Sequence, residues 1–197
     1  MSLKKELAPK GMTFNMNDFF ISDKYATILT VVSYPKYIAP GYLSNLTTGL
    51  SGVKIVIKHI PVAFEIVSKM LNKQLIELKD KYQHENDQTM QERLRQDYES
   101  LENFIKVITT NQSKVFDFQL HIMITANTKE ELEQKKLQVK SAMEAMEMRA
   151  IPLRFEQEKV LKSCLPIFEK QDIEDRIGTP IPSPTLAAMY PFVFDSI

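Results

Sequence analysis

Alternating apolar residues and residues that prefer extended backbone predict the strands of this chain. A polar turn at 22–24 separates two such runs, which predicts a β-hairpin. Further along, Val53, Ile55 and Ile57 share one face with lysines on the other, and we expect Pro61 to end that strand. The predicted strands cover residues 19–21, 26–34, 53–58, 116–124 and 151–155.

Between residues 61 and 112 the apolar period becomes that of a helix. Two apolar stripes flank a polar stretch at 84–88, which predicts two long antiparallel helices, a helical hairpin over about 62–112. A helix of about 20 residues is roughly 30 Å long, so we expect the tip of the hairpin to project. The stripes are Val67, Leu71, Leu75, Leu78 and Tyr82, then Met90, Leu94, Tyr98, Leu101, Ile105 and Ile108.

Shorter elements complete the predicted order. Thr128 and Glu131 have the spacing of a capping box, which predicts a helix from there to about residue 148. Short helices are expected near 38–49 and over about 158–165. The proline-rich stretch 178–184 is expected to be an irregular, extended connector.

This order of elements predicts an α+β fold, a ferredoxin-like split β-α-β layer with the long antiparallel helical hairpin inserted between its halves. We expect a flexible N-terminal segment at 1–17, a single α+β domain over 18–177, and a Pro-rich connector with an apolar tail at 178–197. The chain has 5 glycines and no Gly/Ser-rich linker, so the pattern gives no boundary inside the domain.

Charge and cysteine content narrow the class of protein. Acidic and basic residues balance at 25 each, which argues against a domain built mainly to neutralise nucleic-acid phosphates. Cys164 is the one cysteine and cannot form an intramolecular disulfide, so an intracellular or reducing environment is expected. No apolar run approaches the roughly 20 residues that span a bilayer. We therefore expect a soluble domain that reaches a membrane only through its surface or its partners.

The residue types that carry chemistry do not form a recognisable set, and we predict no catalytic, cofactor-binding or metal-binding residue. The glycines and lysine of 49–54 lack Walker A spacing and lead into a strand. His59 and His121 could meet only if their strands are neighbours, and we interpret both as partly exposed strand histidines. His84 is expected to be solvated, and Cys164 to be a buried structural thiol.

Several stretches, taken in order, resemble one family. The first, DKYAT followed by YPKYI, is similar to a "DKY…YPRYV" opening, and PGYL occupies the place of "P-x-W-L". A later stretch resembles "F-x-L-x-I…A-x-S-x-E-E-L", and TLAAMYPF resembles "S-L-A-x-x-F-P-F". In this chain they lie at 23–27, 34–38, 40–43, 118–132 and 185–192. The series resembles the N-terminal domain of the conjugative-transfer (type IV secretion) ATPases, the TraC/TraE-like, AAA-related family, with Gram-positive integrative conjugative elements as the nearest relatives.

The resemblance implies a non-catalytic assembly and interaction domain that contacts type IV secretion channel subunits at the cytoplasmic face of the membrane. It also implies that the gene continues past Ile197 into a Walker A ATPase domain, which would bind ATP and Mg²⁺ and hydrolyse the nucleotide. This chain itself is then not an enzyme and needs no cofactor. Its expected partners are the channel subunits and its own ATPase domain, with self-association open and no direct nucleic-acid contact expected.

Two alternatives remain open at the level of the sequence. One is a stand-alone ferredoxin-like nucleic-acid-binding module, which would need an exposed aromatic pair on its sheet where this chain places Asp117, Gln119 and lysines. The other is a small-molecule enzyme with His59 and His121 near its site. Two features exceed this background. The long helical hairpin is either a contact arm or a packing element, and the strongly apolar stretch 186–194 either packs onto its own domain or leads into a second one.

Overall fold

Seven strands and six helices form a mixed α+β structure with an antiparallel sheet in the part of the chain that the computed structural model describes, residues 11–35, 37–38, 40–43, 52–110, 113–166 and 170–189. The strands are β1 Met12–Phe14, β2 Phe19–Ile21, β3 Lys24–Ser33, β4 Val53–Val62, β5 Val115–Ala126, β6 Arg149–Pro152 and β7 Thr179–Pro182. The helices are α1 Phe64–His84, α2 Gln88–Thr110, α3 Lys129–Ala145, α4 Gln157–Cys164, α5 Glu174–Ile177 and α6 Ser183–Ala188. Within those ranges no helix has the length and apolar character needed to cross a membrane.

The chain divides into two compact units. Unit 1 comprises residues 1–58, 118–179 and 188–197, and so holds most of the sheet together with α3, α4 and α5. Unit 2 comprises residues 59–117 and 180–187, and holds the helical hairpin α1–α2 with the strand ends that adjoin it.

Strand β3 organises the sheet of unit 1. The strand order is β1-β2-β3-β5-β4, and β6 also pairs with β3. On one edge of β3, Tyr25 to Thr30 pair with Ala126 to His121 of β5. On the other edge, β2 pairs antiparallel with residues 24–26 and β6 with residues from Leu29 to Ser33. Strand β3 therefore pairs with three strands, namely β2, β5 and β6.

A side chain fills the gap that β2 and β6 leave on their shared edge of β3. The amide of Ile28 donates to Oε1 of Gln157 at 2.9 Å, and Nε2 of Gln157 donates to the carbonyl of Ile28 at 3.2 Å. Gln157 is the first residue of α4 and is buried. Its carboxamide takes the place of a strand residue, so this buried backbone keeps its hydrogen bonds and α4 is fixed to the sheet.

Both faces of β5 are covered in unit 1. Phe118, Leu120, Ile122 and Ile124 are buried, as the alternating pattern predicts. The intervening Gln119 and His121 are buried as well, so this strand has no polar face toward solvent. Polar side chains inside a protein need hydrogen-bond partners, and those partners form the site described below.

Helix α3 begins where the capping box predicts. Oγ1 of Thr128 accepts the amide of Glu131 at 3.1 Å, which confirms that half of the motif. The other half is wrong by one residue, because the Glu131 carboxylate accepts the amide of Asn127 at 2.9 Å. Buried Leu132, Val139 and Met143 lie on the face of α3 that is packed.

Unit 2 is built on the helical hairpin. Helices α1 and α2 occupy the two segments in which the sequence predicts helices, and Asp87 between them accepts the amide of Met90 at 2.8 Å as the N-cap of α2. The core of this unit lies at the end of the hairpin away from Asp87, where Val67, Leu71, Ile108 and Val115 are buried together. Strand β7 pairs with β5, and the Ser183 amide donates to the carbonyl of Lys114 at 2.9 Å.

Proline accounts for two differences from the sequence predictions. Strand β4 continues through Pro61 to Val62, because β4 ends the strand order and an edge strand tolerates a residue without an amide proton. Residues 178–184, expected to be irregular, instead contain β7 and the start of α6. Proline is also tolerated in the first turn of a helix, where Pro184 lies.

Two other predicted elements end differently or lie elsewhere. The strand predicted over 151–155 ends at Pro152, and Phe155 lies in the following turn. Most of the helix expected near 38–49 lies outside the described residues. Strand β1, which the apolar pattern does not predict, pairs with β2 in unit 1.

Gly52 is a position where backbone conformation and space both demand glycine. Its φ is +76°, and a Cβ there would lie 2.8 Å from the backbone oxygen of Thr125. That oxygen belongs to β5 and the Gly52 carbonyl accepts the Thr125 amide at 2.8 Å, so neither group can move freely. We predict that Gly52→Ala lowers the free energy of unfolding by about 1–3 kcal/mol. Urea titration checks this, and an unchanged midpoint would contradict the close approach of β4 and β5.

Candidate functional site

The strongest candidate site is a buried polar cluster in unit 1. It gathers side chains from β3, β4, β5, α4 and α5, all of which are polar or charged and mostly buried. We call it the polar cluster, and its members are Thr30, Lys58, Gln119, His121, Ser163 and Glu174.

An ion pair is the strongest interaction of the polar cluster. Nζ of Lys58 lies 2.7 Å from Oε1 of Glu174, whose side chain is only 2% exposed. Burial by itself would raise the pKa of Glu174, but hydrogen bonds from Lys58, the Gln171 amide and Ser163 outweigh it and lower the pKa below its ordinary value. The carboxylate is therefore held in its charged form.

Gln119 binds the main chain of Glu174. Its Nε2 donates to the carbonyl oxygen of Glu174 at 3.2 Å. Glu174 is thus held by its side chain from β4 and by its main chain from β5. Glu174 therefore supplies the polar attachment of the four-residue helix α5 to the sheet of unit 1, beside the apolar packing of Ile173 and Ile177 in the core cluster that includes Phe19 and Ile28.

His121 is buried beside the ion pair. Its Nδ1 lies 3.1 Å from Oγ1 of Thr30, and its Nε2 has no hydrogen-bond partner among the described residues. Burial, and then the positive charge of Lys58, lower the pKa of His121 to about 4, with Glu174 acting in the opposite direction. The imidazole is therefore neutral at physiological pH.

Ser163 and Lys58 raise the question of a serine–lysine nucleophile. Nζ of Lys58 lies 3.5 Å from Oγ of Ser163. A lysine that activates a serine must give up its proton, whereas the ion pair with Glu174 requires Lys58 to keep it. Ser163 is also buried, so a substrate would not reach its oxygen. The geometry fits a structural cluster.

Cys164, next to the polar cluster, is a structural thiol by the same test. Burial raises the pKa of Cys164 to about 12, with Glu174 contributing in the same direction and Lys58 opposing it. A thiol with such a pKa stays protonated and is a poor nucleophile. The sequence predicts a buried thiol, and the structure places Cys164 half-buried.

The three histidines have different surroundings. His59 is exposed on β4 and its ring lies 6.0 Å from that of Phe116, edge to face. His84 is exposed near the end of α1, where Nδ1 lies 3.3 Å from Oδ1 of Asp80. The expectation of a partly exposed His121 is wrong, because β5 is covered on both faces. Within the described ranges, no three His, Cys, Asp or Glu side chains come together as metal ligands would.

Unit 2 holds a second candidate, an apolar groove of about 650 Å³ at the end of the hairpin away from Asp87. Phe64 begins α1 at one side of the groove, and Ile108 and Val115 lie on its floor. Lys114 is the only charged residue in the lining. A groove of this size can hold an apolar side chain or a small apolar ligand.

Comparisons with known proteins add no family assignment. A scan against protein-family models finds no match to this chain, and a search of curated proteins finds no significant one.

Sequence patterns could reveal only part of the polar cluster. The alternation over residues 53–58 predicts that Lys58 points away from the core. Glu174 lies in a charged stretch without apolar periodicity. Gln119 and His121 alternate with apolar residues, which normally marks a solvent face. No local signal marks the coverage of β5, since alternation in an antiparallel sheet commonly means that one face is solvated.

Protonation of His121 should make stability depend on pH. The unfolded chain binds a proton on this histidine near pH 6.5, whereas the folded chain does so only near pH 4. The free energy of unfolding should therefore fall by about 3 kcal/mol as pH drops through this window. His121→Gln should flatten that part of the curve, measured by urea titration at several pH values. The exposed His84→Gln is the control, and a wild-type slope in His121→Gln would contradict the assignment.

Proposed function

We propose that this chain is the non-catalytic N-terminal assembly domain of a conjugation (type IV secretion) ATPase, which contacts channel subunits at the cytoplasmic face of the membrane during DNA transfer. The observation that carries the proposal is the ordered series of sequence stretches at 23–27, 34–38, 40–43, 118–132 and 185–192. ATP and Mg²⁺ belong, in this proposal, to a separate ATPase domain of the same protein.

The strand order supports the finer fold class within this proposal. Taking β3, β4, β5 and β6 as the four strands of the layer, the first and third are adjacent and central, and the order is β6-β3-β5-β4. A ferredoxin-like β-α-β-β-α-β layer has the same arrangement of central and outer strands. The helical hairpin follows β4 and precedes β5, between the second and third strands.

The surface of the hairpin supports a role in contact. Its two helices have 21 and 23 residues, and their buried residues are Val67, Leu71 and Ile108. The half of the hairpin around Asp87 has none, so its outer surface is available to another protein. Exposed apolar residues on the hairpin include Ile66, Met70, Ile76 and Met90. Apolar side chains among charges are a common composition for a docking surface.

Several charged residues of the helical hairpin form ion pairs within their own helix. Arg95 binds Glu92 and Glu99, both at 2.7 Å, and the hydrogen bond from Arg95 lowers the pKa of Glu92 to about 2. Arg93 and Lys79 are exposed and are not part of any such pair within the described residues. These two cations are therefore the better groups to offer to a partner's carboxylates.

The contact role can be tested by reversing charges near the tip without removing a cap. Asp87 is unsuitable because its carboxylate caps α2. We predict that Lys79→Glu with Arg93→Glu reduces the frequency of conjugative transfer at least about tenfold and leaves the melting temperature unchanged. Lys106→Glu, an exposed lysine at the other end of α2, is the matched control and should transfer normally.

Two outcomes separate the arm from the function. Normal transfer by the Lys79→Glu, Arg93→Glu variant would contradict the contact arm while leaving the assembly role intact. Transfer that persists after deletion of the whole gene would contradict the proposed function itself.

A further inference from the structure

Phe155 combines two properties that are unfavourable for stability. Its side chain is 79% exposed, the highest value among the phenylalanines of the described residues. Its backbone has a φ of +60°, in the left-handed region. Bulky residues rarely adopt this conformation, because Cβ approaches the following carbonyl oxygen.

Neighbouring groups hold the turn of Phe155 in this conformation. The amide of Phe155 donates to the carbonyl of Met16 at 2.8 Å, which ties the turn to the loop before β2. On the other side, Nε2 of Gln157 donates to the carbonyl of Leu153 at 3.3 Å. Gln157 is itself hydrogen-bonded to Ile28 of β3, so this network of hydrogen bonds connects the turn that carries the exposed ring to the sheet.

The other left-handed residues that are not glycine have ordinary local reasons. Ser22 lies in the tight turn between β2 and β3, where such a conformation is usual. Glu147 follows the end of α3, where the Met148 amide donates to Met143 and helices commonly end in this way. In both places the side chain is polar. Phe155 differs because it exposes a large apolar side chain there.

The charged residues around Phe155 indicate the chemistry of a complementary partner. Lys159 is paired with Glu156 and Asp172, and Arg176 with Glu156. Arg154, adjacent to Phe155 and exposed, forms no ion pair within the residues that the structure describes. Met16, joined to Phe155 through the backbone, is 41% exposed. The turn therefore presents an aromatic ring, a thioether and one uncompensated cation.

We propose that Phe155 is an anchor that inserts into an apolar pocket of a partner protein, whose rim supplies a carboxylate to Arg154. Phenylalanine, methionine and arginine, the three residue types that this turn exposes, are enriched at protein interfaces relative to the rest of the surface. A membrane surface would instead be met by several cations, and this turn offers one. The inference rests on the proposed function only in that the domain docks onto another protein, whichever protein that is.

The first experiment identifies the partner in cells that carry the gene. The photoreactive p-benzoylphenylalanine replaces Phe155 in the full chain, and in a control it replaces Leu137, which is 67% exposed on α3. The expected result is one adduct, specific to position 155, whose crosslinked peptide lies beside an Asp or Glu. No adduct, the same adducts from position 137, or an adduct to lipid or to a second copy of this chain would overturn the anchor.

The second experiment measures affinity of the purified full chain for the captured protein. Asn tolerates the left-handed conformation, so Phe155→Asn should raise Kd at least about tenfold while the melting temperature stays equal or rises. Arg154→Glu should also weaken binding. Glu147→Asn, the control at another left-handed position, should change Kd less than about twofold. A lower melting temperature in Phe155→Asn would assign the ring to packing, and an unchanged Kd would overturn the anchor.

The two proposals fail in different ways. A captured protein that is not a channel subunit leaves the anchor in place and contradicts the proposed function. No capture, in cells where deletion of the gene abolishes transfer, removes the anchor alone.

Discussion

The ion pair between Lys58 and Glu174 is the interaction on which unit 1 depends most. A carboxylate that is 2% exposed is tolerated because Nζ of Lys58 lies 2.7 Å from its Oε1 and the Gln171 amide donates to the same oxygen at 3.1 Å. Helix α5 has four residues and cannot be stable by itself. Its position therefore follows from tertiary contacts, namely the partners of Glu174 and the apolar cluster in which Ile173 and Ile177 pack.

The rest of the polar cluster follows from that placement. With α5 over the sheet, β5 has no solvent face, and its Gln119 and His121 must find partners inside the protein. Gln119 binds the Glu174 carbonyl and His121 binds Thr30, while Cys164 is left in an environment that keeps its thiol protonated. These contacts are those of a structural cluster, in which Nε2 of His121 and Oε2 of Glu174 have no hydrogen-bond partner among the described residues.

Features available for recognition lie at the surface. They are the hairpin half around Asp87, the groove lined by Phe64 and Lys114, and the turn of Phe155. Each consists of exposed apolar groups accompanied by charge, and each lies within one of the two units. This distribution suits a protein that acts by contact, which is the class of function proposed for it.

Local patterns predict the elements whose burial repeats regularly along the chain. The stripes of α1 and α2, the alternation in β5 and the Thr128 cap are of this kind, because each signal lies within one element. The remaining features of the fold depend on contacts with residues that are distant in the sequence. Nothing near His121 in the sequence indicates that α5 covers it, and the alternation through Phe155 does not reveal that β6 stops at Pro152. The prediction that Pro61 ends its strand is wrong for a related reason, because the effect of a proline depends on whether the strand lies at the edge of the sheet, as β4 does.

A double-mutant cycle at Lys58 and Glu174 tests the central claim most directly, with urea titration of Lys58→Met, Glu174→Gln and the double variant. If the ion pair fixes α5 on the sheet, each single change should cost about 2–4 kcal/mol, and the double change should cost less than their sum by about 1–3 kcal/mol. Costs that add to within about 0.5 kcal/mol would mean that the two charges act independently, and would contradict the account.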